Sequence, residues 1–221
     1  MPSGADALGA LLARARLGLD RLGHLMNAVA GWLFVVCALF VTFDVVSRKY
    51  FNFSSKATVE VTGYMLAFGI AWGLTEALTS RAHIRVDVLV SKMPLKVRAW
   101  MHGLALTFLG LLGFFVAWRA WSVVQDSWDF GSRDSSALAI PLAYPQGAWA
   151  LGITVFFVLT VVMWLEVVVL LALRRADVID RMLGPRTLQE EAAEALEAAH
   201  MGDGETPAGV GTEAGDGLSP R

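Results

Sequence analysis

Residues 146–165, with the sequence QGAWALGITVFFVLTVVMWL, contain no charged side chain, and from residue 149 onward they are apolar on every face of a helix. About 20 residues of helix, at 1.5 Å per residue, span the 30 Å hydrocarbon core of a bilayer. A helix on the surface of a soluble protein would carry polar residues along one face. The stretch therefore predicts a transmembrane helix.

Three further stretches, residues 22–43, 61–75 and 99–118, also lack Asp, Glu, Lys and Arg. The second is short, but the Glu60 and Glu76 carboxylates that bracket it lie roughly 24 Å apart on a helix and reach opposite interfaces. The chain is 56 % hydrophobic and 17 % charged, whereas soluble domains carry about a quarter charged residues. We predict an all-α integral membrane protein. Its transmembrane domain covers residues 25–175, with four spans at about 25–46, 59–78, 99–121 and 146–173.

The orientation follows from the Lys and Arg residues near the span ends, because cytoplasmic loops are enriched in them. Twelve basic residues fall on one side of the four spans: Arg14, Arg16, Arg21, Arg81, Arg85, Lys92, Lys96, Arg98, Arg174, Arg175, Arg181 and Arg186. Five fall on the other side: Arg48, Lys49, Lys56, Arg119 and Arg133. The protein is therefore predicted to have both ends in the cytoplasm.

The segments outside the spans differ in character. Residues 1–24 place leucines at helical spacing and arginines elsewhere, which fits either an amphipathic cytoplasmic helix on the membrane surface or an extension of the first span. Residues 79–98 alternate charged with aliphatic side chains and are predicted to lie along the interface. Residues 176–221 are predicted to form a cytoplasmic tail, with a short acidic helix opened by the capping box of Thr187 and Glu190, then a disordered Gly- and Pro-rich end.

Charged residues within a membrane are costly and often functional. Here they are peripheral: Asp44, Glu60 and Arg119 fall near the outer ends of three spans, where they can form a cluster. Glu166 is the deepest, about 12 Å inside the boundary marked by Arg174. A carrier places polar groups or broken helices at the bilayer midplane, and none is predicted here. The chain is therefore not expected to be the transport pathway itself.

Enzymatic chemistry has little support in this sequence. It contains no nucleophile elbow, phosphate loop or zinc motif, so we predict no catalytic residue, metal site or cofactor, and no nucleic-acid partner. His24 and His102 both fall at inner ends of spans, which leaves a haem-binding electron-transfer subunit as an alternative. A stand-alone small exporter or channel is a second alternative.

The connection after the second span, residues 76–87 with the sequence EALTSRAHIRVD, resembles the signature of the DctQ-type small membrane subunit of tripartite ATP-independent periplasmic (TRAP) transporters. A Glu at the helix end, an Arg, His-Ile-x-Val-Asp and a later Pro occur in the family's order: Glu76, Arg81, His83, Ile84, Val86, Asp87 and Pro94. A second similarity runs from Ser135 through Pro141 to Gly152. Together the similarities cover roughly residues 25–175.

This resemblance implies a non-catalytic scaffold subunit in a bacterial inner membrane. In such transporters a periplasmic binding protein captures an organic acid, and a large membrane subunit moves it with a sodium gradient. The small subunit packs against the large one and helps to dock the binding protein. Glu76, Arg81, His83 and Asp87 would then fix the turn after the second span or contact the large subunit, and Pro141 would lead into the last helix.

Overall fold

The computed structural model describes residues 4–51, 57–80, 93–135 and 139–184, together with positions 192, 195 and 196. Five helices form within these residues: α1 (Gly4–Phe51), α2 (Thr58–Thr79), α3 (Leu95–Asp129), α4 (Ala143–Ala172) and α5 (Ala176–Leu183). The first four are long and apolar enough to cross a membrane. The predicted all-α membrane fold with four transmembrane helices is confirmed.

The long helices extend beyond the predicted spans. Helix α1 has 48 residues, or about 72 Å at 1.5 Å per residue. It joins residues 4–24 to the first span, so the structure has the extended helix rather than a separate one. Helix α3 begins at Leu95 and includes the last part of the predicted interfacial segment, of which residues 81–92 lie outside the described part of the chain.

Helices α2 and α4 lie at the centre of the unit formed by residues 1–184. Helix α1 packs against both of them, and α3 packs against α4. We call the end where α1 and α3 begin and α2 and α4 finish the basic end, because it carries residues such as Arg16 and Arg98. Asp44 and Glu60 lie at the opposite end.

The crossing of α2 and α4 depends on small side chains. Ala71 on α2 and Ala150 on α4 are buried, and a Cβ at Gly152 would lie 2.6 Å from Trp72 Cδ1 and 3.0 Å from the carbonyl carbon of Ala71. The Trp72 Nε1–H donates a hydrogen bond to the Ala148 carbonyl at 3.0 Å. Small residues let membrane helices approach closely and gain dispersion energy, so this contact needs glycine at position 152.

Helices α3 and α4 are joined by two Trp–Thr hydrogen bonds. Trp121 Nε1 donates to Thr154 Oγ1 at 2.9 Å, and Trp164 Nε1 donates to Thr107 Oγ1 at 2.9 Å. Each hydroxyl also donates to a carbonyl of its own helix. Such bonds contribute about 0.6 kcal/mol each inside a membrane, and the reciprocal pair sets the register of the two helices.

The chain reverses after α4 because Arg174 adopts φ +57°, a left-handed conformation that glycine usually supplies at a helix C-terminus. Helix α5 follows, with Ile179 and Leu183 buried in the core. The compact unit therefore includes α5 and ends at Gly184. Residues 185–221 form a second unit, and the predicted capping box and disordered end fall outside its described positions.

Candidate functional site

Charged side chains at the basic end are paired between helices. Arg16 Nε on α1 lies 2.9 Å from Glu166 Oε2 on α4, and Arg16 Nη1 lies 3.7 Å from Asp20 Oδ2. His24 Nδ1 on α1 lies 2.8 Å from Glu76 Oε2 on α2. Helix α1 is thus tied to α4 by an ion pair and to α2 by the contact between His24 and Glu76.

A third pair attaches the short helix α5. Arg98 Nη1 on α3 donates to both carboxylate oxygens of Asp180, at 3.1 and 2.9 Å. His102 Nε2 lies 4.0 Å from Asp180 Oδ1. Because Asp180 and the buried Ile179 are neighbours, the ion pair and the apolar contact hold α5 on α3 together.

We expect Arg98→Gln to loosen α5 while the four long helices stay intact. The Arg98 and Asp180 side chains are 19 % and 23 % exposed, so the loss should be about 1 kcal/mol, nearer the value of a screened pair than that of a buried one. Amide hydrogen exchange in residues 176–183 should speed up by about fivefold. Arg175→Gln is the control, since Arg175 is exposed. Unchanged exchange in the Arg98 variant would show that apolar burial alone holds α5.

The opposite end carries the three residues of the predicted cluster. Asp44 is buried, and it accepts a hydrogen bond from Arg48 Nη2 of the same helix at 2.7 Å. Glu60 lies in the first turn of α2. Arg119 Nη1 lies 3.5 Å from Ser122 Oγ on its own helix. The contacts described here for Asp44 and Arg119 are within their own helices, and the cluster of Asp44, Glu60 and Arg119 stays a prediction.

The paired charges bracket a charge-free interval. His24 and Asp44 are about 30 Å apart along α1 at 1.5 Å per residue, which matches the hydrocarbon thickness. Arg16, the partner of Glu166, precedes His24 by two turns and so lies about 12 Å farther toward the basic end. Glu166 therefore lies farther toward the basic end than the contact between His24 and Glu76.

Only part of the predicted motif lies within the described residues. Glu76 ends α2 beside His24, whereas Arg81, His83 and Asp87 fall outside the described part, as do Ile84 and Val86. Pro141 lies two residues before the start of α4. Its loop is closed by backbone hydrogen bonds from Asp134 N to the Ile140 carbonyl and from Leu142 N to the Ser132 carbonyl, both at 3.0 Å. This loop sets where α4 starts.

Sequence reasoning did not identify the pairs Arg16–Glu166, His24–Glu76 and Arg98–Asp180. A signal was present for one of them: Glu166 is a carboxylate deep in an apolar segment, and such a group requires a cation at its own depth. Which of the twelve basic residues at this end pairs with Glu166 could be decided only from the packing of the helices.

The two histidines of the haem alternative each have an acidic neighbour on another helix, Glu76 for His24 and Asp180 for His102. Within the described residues, no three His, Cys, Asp or Glu side chains are grouped as metal ligands would be.

Comparison with known proteins agrees with this geometry. The family model described as "Tripartite ATP-independent periplasmic transporters, DctQ component" matches residues 37–170. The match begins within α1 and ends within α4, so it includes the sequence 76–87. No curated protein and no solved structure matches the chain.

Proposed function

The chain belongs to the DctQ component family of tripartite ATP-independent periplasmic transporters, and from this premise we propose that it is a non-catalytic scaffold subunit. It is a multi-pass membrane component of a transporter. We place it in the inner membrane of a bacterium, beside a large transport subunit and a periplasmic binding protein. The transported solute would be an organic acid, driven by a sodium gradient.

The main support for this proposal is the distribution of charged side chains along the four long helices. Four stretches of the sequence, residues 22–43, 61–75, 99–118 and 146–165, contain no Asp, Glu, Lys or Arg. A sodium-coupled carrier for an anion needs polar groups or unwound helix near the midplane, and the four helices α1 to α4 cross that depth unbroken. Solute transport is therefore assigned to another subunit.

The interhelical contacts between polar side chains fit a subunit that stays rigid during transport. The pairs from Arg16 to Glu166 and from His24 to Glu76 join α1 to both central helices, and small residues bring α2 and α4 into close contact. A moving element would instead need few buried contacts between its helices. Such a bundle suits a fixed support for a moving large subunit.

Helix α1 offers a surface for that large subunit. Trp32, Val36, Leu39 and Phe43 are exposed and recur at helical spacing along one face. In a bilayer this face contacts lipid or another membrane helix. We assign part of it to the large subunit, because α1 is covered by α2 and α4 on its other side.

The residues after α2 would add a polar contact at the cytoplasmic surface. Arg81→Ala is expected to lower the amount of large subunit that co-purifies with this chain by up to about fivefold, the value of a surface ion pair of about 1 kcal/mol. Arg85→Ala is the matched control, because Arg85 occupies the variable position of the His-Ile-x-Val-Asp motif. Equal complex yield and uptake in both variants would contradict a role for Arg81.

The function itself is tested by reconstituting this chain, the large subunit and the binding protein in liposomes. The sodium concentration is higher outside the liposomes than inside. Uptake of labelled organic acids should require all three proteins, and omitting this chain should abolish it. Transport by this chain alone would support the exporter or channel alternative. A Soret absorption band in the purified protein would support the haem alternative, which the family membership does not favour.

A further inference from the structure

A cavity of about 570 Å³ lies at the basic end, between the start of α3, the end of α4 and the start of α5. This volume is within the usual range of small-molecule sites. Side chains of opposite character line it: Lys96, Arg174 and Asp177 are charged, whereas Leu95, Trp100 and Leu171 are apolar or aromatic. We call this cavity the α3–α5 groove.

Among the residues that the structure describes, none neutralises the positive charge of the α3–α5 groove. No described carboxylate lies within ion-pair distance of Lys96 or Arg174. Among the described lining residues, Asp177 is the one acidic side chain, and Lys96 and Arg174 are the two cations. By contrast, Arg16 and Arg98 at the same end each have a carboxylate within 2.9 Å. The groove is thus suited to an anion from outside the chain.

Two helix N-termini add to the positive electrostatic potential of the α3–α5 groove. Helices α3 and α5 both begin at the groove, and neither has a side chain that caps its first backbone N–H groups. The N-terminus of a helix carries a partial positive charge and unsatisfied donors, which favour phosphate and carboxylate groups.

An apolar surface leads away from the groove. Trp100 is largely exposed, and Leu104 and Phe108 continue the exposed face at intervals of four residues along α3 toward the apolar middle of the bundle. An aromatic residue of this kind is typical of the membrane interface. A free anion needs no such surface, whereas the acyl chains of a lipid do.

We propose that the α3–α5 groove binds the headgroup of an anionic phospholipid. Lys96 and Arg174 contact the phosphate, and the acyl chains run along Trp100, Leu104 and Phe108. Basic pockets between helices on the cytoplasmic side are a common form of lipid recognition. The site does not depend on the transporter assignment, because it uses only this chain and its membrane.

The test is native mass spectrometry of the full-length protein in detergent, titrated with phosphatidylglycerol or phosphatidylcholine. The wild-type protein should retain phosphatidylglycerol in preference to phosphatidylcholine. The Lys96→Gln/Arg174→Gln variant should bind it about 25-fold more weakly, since each basic side chain near an anionic headgroup contributes about fivefold. Arg14→Gln/Arg21→Gln is the matched control, since it removes two exposed basic residues from the same end.

Arg174→Gly removes the cation but keeps the left-handed turn, so reduced lipid binding in this variant cannot be attributed to a disrupted fold. Three results would overturn the proposal. One is equal weakening in the two double variants, which indicates a diffuse basic surface. Another is displacement of the lipid by inorganic phosphate in modest excess, which indicates a free-phosphate site. The third is undiminished binding of phosphatidylglycerol by the Lys96→Gln/Arg174→Gln variant, which shows that these two cations do not hold the headgroup.

Discussion

Replacing Gly152 with valine is expected to lower the stability of the bundle by about 1–3 kcal/mol, the usual cost of overpacking a core. Even a Cβ at this position would lie 3.0 Å from the carbonyl carbon of Ala71, and a backbone atom cannot turn aside as a side chain can. Helices α2 and α4 would have to separate. The added branches would also strain the hydrogen bond from Trp72 to Ala148.

The measurement is thermal unfolding of the detergent-solubilised protein, followed by size-exclusion chromatography with fluorescence detection. Gly147→Val is the matched control, because Gly147 lies on the same helix and nothing is within 4 Å of a Cβ there. Its melting temperature should stay near that of the wild type. If the two variants melt together, the close approach of α2 and α4 does not limit stability.

The second large effect concerns the Arg16–Glu166 pair, whose two residues should differ in how much stability is lost when each is replaced. Arg16→Gln should destabilise the protein by about 2 kcal/mol, because it leaves the Glu166 carboxylate buried with no other described cation within reach. This is below the 3–5 kcal/mol of a fully buried pair, since the Arg16 side chain is 27 % exposed and that of Glu166 10 %. Glu166→Gln should cost less, because Arg16 keeps Asp20 as a neighbour.

The decisive comparison is the double variant. Arg16→Gln/Glu166→Gln should be more stable than Arg16→Gln alone, since it removes the isolated carboxylate. Urea or thermal unfolding of the four proteins gives the coupling energy directly. Arg14→Gln controls for loss of a basic residue from α1. Should the double variant be no more stable than Arg16→Gln, the Glu166 carboxylate is solvated and the pair does not hold α1 to α4.

The ion pairs show where sequence reasoning succeeded and where it stopped. Residues 146–165 could be recognised as a span because burying an apolar side chain in lipid depends only on that side chain and its helix neighbours. The pairing of Arg16 with Glu166 could not, since the two residues are separated by 150 positions. Their contact depends on how far α1 extends beyond the span and on how it is rotated against α4.

Helix α5 illustrates the same limit at the chain's other end. Residues 176–183 contain only two turns, and their sequence also suits a solvated tail. The left-handed turn at Arg174 directs them back onto α3, where Ile179 and Leu183 become buried. That turn, not the helix propensity of the segment, includes α5 in the compact unit and creates the wall of the α3–α5 groove.

Glycine gives the clearest contrast. Gly147 and Gly152 occur in one apolar stretch with similar neighbours in sequence, yet only the second meets another backbone. By itself the sequence determined which segments enter the membrane, because transfer into lipid is a property of each segment. Only the tertiary structure decided which side chains meet, because those contacts depend on the tilt, rotation and spacing of helices that are far apart in the chain.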